Sequence, residues 1–146
     1  MLRAHVALLA GACVLLMPGR SAAQSRWENQ VGDQLSTAAR VFSEKGFEST
    51  HDRYTGTLRQ GEFEYLNVTL HAGTAYALVG VCDNDCHDLD LVLYDADGNE
   101  VDADRKTDDT PIVVASPGET ERYRVKVIMV NCATSPCFYG IGTYGK

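Results

Sequence analysis

The chain beyond Tyr54 is dominated by short runs in which apolar and polar residues alternate. Residues 65–70, 89–94 and 123–129 each follow this period of two, and residues 76–82 form a mostly apolar run. Alternation predicts strands with one buried face, and the apolar run predicts a central strand. We expect further short strands near residues 101, 112–115 and 137–144. With Gly, Asp, Asn and Pro turns between them, these seven or eight strands predict an all-β fold, an antiparallel jelly-roll-like β-sandwich.

The segment before the strands has helical periodicity. Within residues 25–46, apolar residues recur at three- and four-residue spacing, among them Trp27, Val31 and Leu35. This spacing predicts an amphipathic N-terminal α-helix, and Gly46 is a typical stop signal. The helix either packs on the sandwich or forms a mobile arm that docks on a partner. We favour packing and keep the arm as the alternative.

The N-terminus has the three parts of a secretory signal peptide. Arg3 supplies positive charge, residues 6–17 are an uncharged apolar run, and residues 21–23 present small side chains for cleavage before Gln24. The apolar run is too short to span a membrane. Acylation at Cys13 is a less favoured alternative, because apolar residues continue beyond it. We therefore expect a secreted or periplasmic protein composed of a signal peptide (1–23), a helical segment (24–50) and a β-sandwich domain (51–146).

Loss of the signal peptide makes the chain more acidic. The full sequence has 13 Lys and Arg against 20 Asp and Glu, and without Arg3 and Arg20 the balance is 11 against 20, or −9. Such a charge repels nucleic acids and anionic membrane surfaces. We therefore expect neither nucleic-acid binding nor membrane insertion.

Four cysteines remain after export: Cys82, Cys86, Cys132 and Cys137. An even number in an oxidising compartment predicts two disulfides. We favour the local pairs Cys82–Cys86 and Cys132–Cys137 over cross-pairing between loops that meet at one end of the sandwich. A redox motif and a zinc site are weaker hypotheses. Redox-active pairs usually enclose two residues at a helix start, and export argues against the free thiolates that zinc requires.

Four carboxylates, those of Asp83, Asp85, Asp88 and Asp90, lie within eight residues. Calcium prefers such oxygen ligands, and a cation would relieve the repulsion among them. A loop-borne calcium site is therefore a hypothesis. The favoured interpretation is a set of solvated loop charges, with Asp88 or Asp90 capping backbone amides. An EF-hand is excluded, because the required glycine and glutamate positions are not met. Residues 95–99 (DADGN) instead predict a hairpin turn.

Five short segments follow one another in a familiar order. They are residues 61–62 (GE), 70–76 (LHAGTAY), 88–95 (DLDLVLYD), 97–99 (DGN) and 123–127 (YRVKV). This order resembles the bacterial pre-peptidase C-terminal (PPC) domain family, whose relatives include the collagen-binding domains of clostridial collagenases. The resemblance extends over residues 54–144.

The resemblance implies a β-sandwich without a catalytic centre of its own. Such domains are usually attached to secreted peptidases and other exported enzymes, where they assist secretion, folding or substrate attachment, and some bind calcium. One feature departs from the calcium-binding relatives, which carry an acidic segment just before the first strand. This chain offers only Glu48 and Asp52 there.

These observations favour a secreted, non-catalytic binding or accessory domain that contacts an exported protein or a surface polymer. A self-assembling structural subunit is the first alternative, in which residues 24–50 contact a neighbouring copy. A small secreted hydrolase is the second, because acidic loops can supply a pair of carboxylates. We do not expect an enzyme, since His51, His71 and His87 lie in no recognisable nucleophile motif.

Overall fold

A computed structural model describes the backbone of residues 22–146 and the side chains of residues 26–146. The predicted signal peptide, residues 1–23, lies outside the described residues except for the backbone of Ala22 and Ala23. Within the described range, no helix combines the length and hydropathy needed to cross a membrane. The described chain folds as one helix followed by nine strands.

Two antiparallel sheets are built from these strands. One sheet has five strands: β9 pairs with β1, β2 and β4, and β7 pairs with β4 at one edge. The other has four strands in the order β3, β8, β5, β6. In chain order the elements are α1 (Ala22–Ser43), β1 (Glu48–Ser49), β2 (Tyr54–Leu58), β3 (Phe63–Leu70), β4 (Tyr76–Cys82), β5 (Cys86–Tyr94), β6 (Glu100–Asp104), β7 (Ile112–Ala115), β8 (Glu121–Cys132) and β9 (Cys137–Gly145).

The predicted antiparallel β-sandwich is confirmed. In β8, for example, Tyr123, Val125 and Val127 are buried between the sheets, while Arg122 and Arg124 are exposed. The predicted central strand is confirmed as well, because every residue of β4 is buried. The ninth strand is β1, which is too short to show any alternation in the sequence.

The turn between β5 and β6 lies at the predicted hairpin, residues 95–99. The Asp95 carboxylate accepts a hydrogen bond from the N–H of Asn99 at 2.8 Å and another from the Asn99 side-chain amide at 3.0 Å. These hydrogen bonds lower the pKa of Asp95. An aspartate that bonds to the backbone in this way stabilises the turn.

β4 is buried on both faces because α1 covers the outer face of the five-stranded sheet. Val31 and Leu35 of α1 cluster with Val79 and Tyr144 of the sheet. A Cβ atom on Gly140 would lie 2.7 Å from a Val31 methyl carbon and 2.8 Å from a Leu35 methyl carbon. Glycine at this position of β9 therefore lets the helix approach the sheet. The helix packs on the domain, as favoured from the sequence.

The helix ends at Ser43, three residues before the predicted stop. Gly46 has a φ of 81°, and its N–H donates to the Ser43 carbonyl while the N–H of Phe47 donates to the Phe42 carbonyl, both at 3.0 Å. This pair of hydrogen bonds is a Schellman cap, in which glycine adopts the left-handed backbone. The rings of Phe42 and Phe47 meet edge to face, with centroids 5.5 Å apart.

Both local disulfides predicted from the cysteine spacing are formed. Cys82–Cys86 closes the loop between β4 and β5, and Cys132–Cys137 closes the loop between β8 and β9. The two loops meet at one end of the sandwich, where the N–H of Ala133 donates to the carbonyl of Asp85 at 2.7 Å. This pairing leaves none of the four cysteines as a thiolate that could ligate zinc.

Candidate functional site

Asp83, the first of the predicted calcium ligands, is part of the fold. Its side chain is only 1% exposed. One carboxylate oxygen accepts from the N–H of Phe138 at 2.8 Å, and the other accepts from the N–H of Asp85 at 3.1 Å. Desolvation raises the pKa of Asp83, and these backbone donors partly offset that effect. The Asp83 carboxylate therefore fastens the Cys82–Cys86 loop to β9.

Asp88 and Asp90 lie farther along the chain, on β5. Desolvation raises the pKa of Asp88, and the negative charge of Asp108 raises it further. Desolvation likewise raises the pKa of Asp90, followed by repulsion from Asp88. The structure thus divides the predicted set into two parts. Asp83 and Asp85 belong to the disulfide-closed loop, whereas Asp88 and Asp90 belong to a strand and repel neighbouring carboxylates.

Calcium binding stays a prediction. Among the residues that the structure describes, no group of three or more His, Cys, Asp or Glu side chains is arranged to hold a metal ion. One buried carboxylate oxygen of Asp88 has no hydrogen-bond partner there. If calcium binds, Asp88 and Asp90 are better placed as ligands than Asp83, whose oxygens already accept backbone hydrogen bonds.

Two further aspartates close one edge of the sandwich. A carboxylate oxygen of Asp104 accepts from the N–H of Ile112 at 3.1 Å, and one of Asp102 accepts from the N–H of Val114 at 2.7 Å. Ile112 and Val114 belong to the edge strand β7. The carboxylates of β6 therefore occupy backbone donors that another strand would need in order to pair with β7.

The outer face of the four-stranded sheet carries aromatic and basic side chains next to one another. We call Phe63, Tyr65, Tyr94, Arg124 and Lys126 the aromatic–basic face. Phe63 is 52% exposed and Tyr65 is 45% exposed. The Lys126 ammonium lies 4.1 Å from the centroid of the Phe63 ring, and the Arg124 guanidinium lies 5.2 Å from that of Tyr65. These contacts place both cations over aromatic rings.

Ion pairs with carboxylates do not neutralise the cations of this face. In the part of the chain that the structure describes, the ion pairs involve Arg105 and Lys106 of the β6–β7 connection. Arg124 and Lys126 instead contact rings, on a protein whose full sequence has a net charge of −7. The five residues of the face therefore carry two positive charges and no carboxylate. The face can donate charge-assisted hydrogen bonds to carboxylates and offer ring surface to apolar groups.

Strand pairing assembles the aromatic–basic face from distant parts of the chain. Tyr65 of β3 is the register partner of Lys126 in β8, and Tyr94 of β5 is the register partner of Arg124. The sequence analysis did not predict this face, because it used the outward-facing positions only to recognise the alternation of the strands and did not consider what they present to solvent. The usable signal lies in β8 alone, where Arg122, Arg124 and Lys126 occupy alternate positions of an otherwise acidic chain.

A second surface is the groove between α1 and the outer face of the five-stranded sheet. Its volume is about 900 Å³, and Arg26 and Asp33 are its titratable lining residues. The groove is therefore better suited to contact with apolar groups than to acid–base catalysis. Its apolar lining includes Val41, Phe42, Val79, Val81 and Ile112.

Comparisons with known proteins add no family assignment. A scan against protein-family models finds no match, and a search of curated proteins finds none either. The resemblance to the PPC family therefore stays a prediction that rests on the five segments described above.

Proposed function

We propose that this protein is an exported, non-catalytic binding domain and that the aromatic–basic face is its binding surface. The observation that carries the proposal is the presence of exposed rings and cations without ion pairs on one face of an acidic protein. Aromatic and arginine side chains are enriched where proteins bind one another, because they combine large contact area with directed hydrogen bonds. In this protein the outer face of the four-stranded sheet presents both aromatic rings and an arginine.

The partner that fits this surface is an acidic segment of another exported protein. Arg124 and Lys126 can pair with carboxylates, while Phe63 and Tyr65 contact the apolar parts of the partner. The net negative charge of the whole protein repels every acidic ligand at long range, so binding has to come from short-range contacts with this face. Nucleic acid stays outside the expected partners. An acidic polysaccharide is the competing ligand, and a binding experiment separates it from a peptide.

The test measures binding of labelled peptides to the purified exported protein by fluorescence anisotropy. Oligoglutamate should bind saturably and more weakly as salt increases. Oligolysine of equal length can associate with the acidic surface of this chain, but Lys126→Ala should not weaken that association. Lys126→Ala should lower the affinity for oligoglutamate about fivefold. Arg40→Ala removes an exposed charge from α1, far from the aromatic–basic face, and should change the affinity by less than about twofold.

Two results would overturn this proposal. Binding of polygalacturonate together with failure to bind oligoglutamate would replace the protein partner by an acidic polysaccharide. Equal loss of affinity in Lys126→Ala and Arg40→Ala would show that binding depends on overall charge and not on the aromatic–basic face.

Calcium is a proposed stabilising ligand within this function, held near Asp88 and Asp90. The support is the buried Asp88 carboxylate oxygen that has no hydrogen-bond partner among the described residues. Desolvation first, and repulsion from neighbouring carboxylates second, also raise the pKa of both carboxyls, and a bound cation would offset both effects. A ligand that binds only the native state raises the melting temperature. Calcium should therefore raise it relative to chelator. An unchanged melting temperature at millimolar calcium would remove the metal from the proposal and leave the aromatic–basic face unaffected.

A further inference from the structure

We propose that the acidic partner binds by adding a β-strand to the free edge of β3. This inference rests on the proposed function and specifies how the aromatic–basic face is used. The partner is an extended polypeptide segment in which acidic residues alternate with apolar ones. Three properties of β3 lead to this pattern: its backbone hydrogen bonds, the cations beside it, and the apolar slot beneath it.

Alternate residues of β3 direct their backbone groups away from the sheet. β3 pairs with β8 over its whole length, and the Glu62 carbonyl accepts from the N–H of Met129 at 3.0 Å. Because hydrogen bonding alternates along an edge strand, residues 64, 66, 68 and 70 bond to β8. The N–H and C=O groups of Phe63, Tyr65, Asn67 and Thr69 then face outward. In the described part of the chain, the Thr69 carbonyl accepts a hydrogen bond from the His51 ring at 2.9 Å, so the free part of the edge runs from Phe63 to Asn67.

The opposite edge of the sandwich, formed by β6 and β7, contrasts with this free edge. There, Asp102 and Asp104 already bond to the outward N–H groups of β7, so that an incoming strand would have to displace two carboxylates. β3 is also longer, with eight residues against four in β7. A long exposed edge strand with apolar side chains readily pairs with another strand. Strand addition is therefore favoured at β3.

The outward side chains of an added strand would lie beside the aromatic–basic face. An added strand runs about 4.8 Å from its neighbour, and Lys126 and Arg124 extend from β8 over the rings of Phe63 and Tyr65 in β3. The cations therefore reach toward the free edge. Carboxylates at alternate positions of the added strand could pair with them, which explains why the outward residues should be acidic.

The inward side chains of an added strand would face the opening between the two sheets. A slot of about 310 Å³ lies there, and its lining includes the apolar side chains of Leu66, Val68, Val125 and Ile141. Leu66 and Val68 are partly buried and pack against the core. Apolar residues on the inward side of the partner would cover this slot. The expected segment therefore alternates Glu or Asp with Val, Ile or Leu.

The test compares three labelled peptides for binding to the purified exported protein. The first alternates Glu and Val, the second has the same composition with the alternation scrambled, and the third is the alternating peptide with N-methyl groups at every second amide. The alternating peptide should bind about tenfold more tightly than either of the others, because only it offers both the pattern and the backbone donors. Hydrogen exchange at Phe63, Tyr65 and Asn67 should slow when it binds.

Variants of the protein provide a second readout at the edge strand. Asn67→Pro removes an N–H that faces outward and should lower the affinity about tenfold, while Asn67→Ala should change it by less than about twofold. If Asn67→Pro does not fold, the N-methylated peptide still tests the backbone pairing with the unmodified protein. Equal affinity for the three peptides, together with loss of binding in Lys126→Ala, would overturn strand addition while leaving the proposed binding face intact. Self-association that Asn67→Pro abolishes would replace the acidic segment by a second copy of this chain.

Discussion

Asp83→Ala removes the carboxylate that fastens the Cys82–Cys86 loop to β9. The N–H groups of Phe138 and Asp85 lose their acceptor in a part-buried site. Each donor left without a partner costs about 1–3 kcal/mol. Desolvation of the Asp83 carboxylate opposes this loss, since it already raises the pKa of that group. The expected decrease in the free energy of unfolding is therefore about 2–4 kcal/mol.

Urea denaturation at pH 7 measures this change, with the disulfides kept intact. Asp83→Asn retains one acceptor oxygen and should cost about half as much. Asp85→Ala is the matched control: it removes a neighbouring carboxyl in the same loop but keeps the N–H that donates to Asp83, and should cost less than about 0.5 kcal/mol. The measurement also separates the structural role of Asp83 from calcium binding. A destabilisation that disappears in chelator would contradict the structural role and indicate a metal ligand.

Three further stability predictions follow from the packing and the charges. Leu35→Ala should lower the free energy of unfolding by about 2–5 kcal/mol in urea denaturation, because Leu35 is fully buried against the sheet. Arg40→Ala, at an exposed position of the same helix, is the control; an equally small change in both variants would show that α1 is not docked on the sheet. Desolvation first, and repulsion from Asp88 second, raise the pKa of Asp90, so its ionised carboxyl destabilises the fold increasingly as pH rises above about 4. Asp90→Asn should therefore be more stable than the unmodified protein at pH 7 but not at pH 3. Equal differences at both pH values would contradict this penalty on the ionised carboxyl. The pKa of Asp104 is lowered despite desolvation, because its carboxylate accepts backbone hydrogen bonds, including one from the N–H of Ile112. The loss of stability caused by Asp104→Ala at pH 7 should therefore become smaller as pH falls below about 4. A loss that does not depend on pH would exclude a role of the charge.

Much of the fold could be predicted because its causes are local in the sequence. Alternation in β8 reflects one buried and one exposed face, and the apolar run of β4 reflects burial on both faces by α1 and the opposite sheet. The two disulfides follow the same rule, since each joins cysteines that flank one loop. Gly46 marks the helix end because a left-handed residue is needed there.

The roles of the acidic residues depend on partners that are remote in sequence. Asp83 is a residue type that commonly binds metals, but its carboxylate already accepts a hydrogen bond from the N–H of Phe138 in β9, near the end of the chain. Asp102 likewise bonds to Val114 of the other sheet. Composition identifies such residues as acidic, but only the pairing of strands shows whether a backbone N–H already occupies the carboxylate.

The aromatic–basic face is a consequence of strand register and could not be predicted without it. Tyr65 and Lys126 become neighbours because β3 and β8 pair with one particular alignment, and a shift of one residue would place Tyr65 beside Val125 or Val127. The basic residues of β8 alternate in the sequence, but nothing in the sequence pairs them with the rings of β3 and β5. These rings and cations become neighbours on one surface only when the strands of the sheet pair.

Amide chemical shifts would map the binding surface of the protein most directly. Isotope-labelled protein that consists of residues 24–146 would be titrated with the alternating acidic peptide. The large shift changes should lie in β3 and β8, centred on Tyr65 and Lys126, and Lys126→Ala should weaken them. Changes centred instead on the α1 groove around Val41 and Ile112, or on the loop that contains Asp83, would contradict binding at the aromatic–basic face.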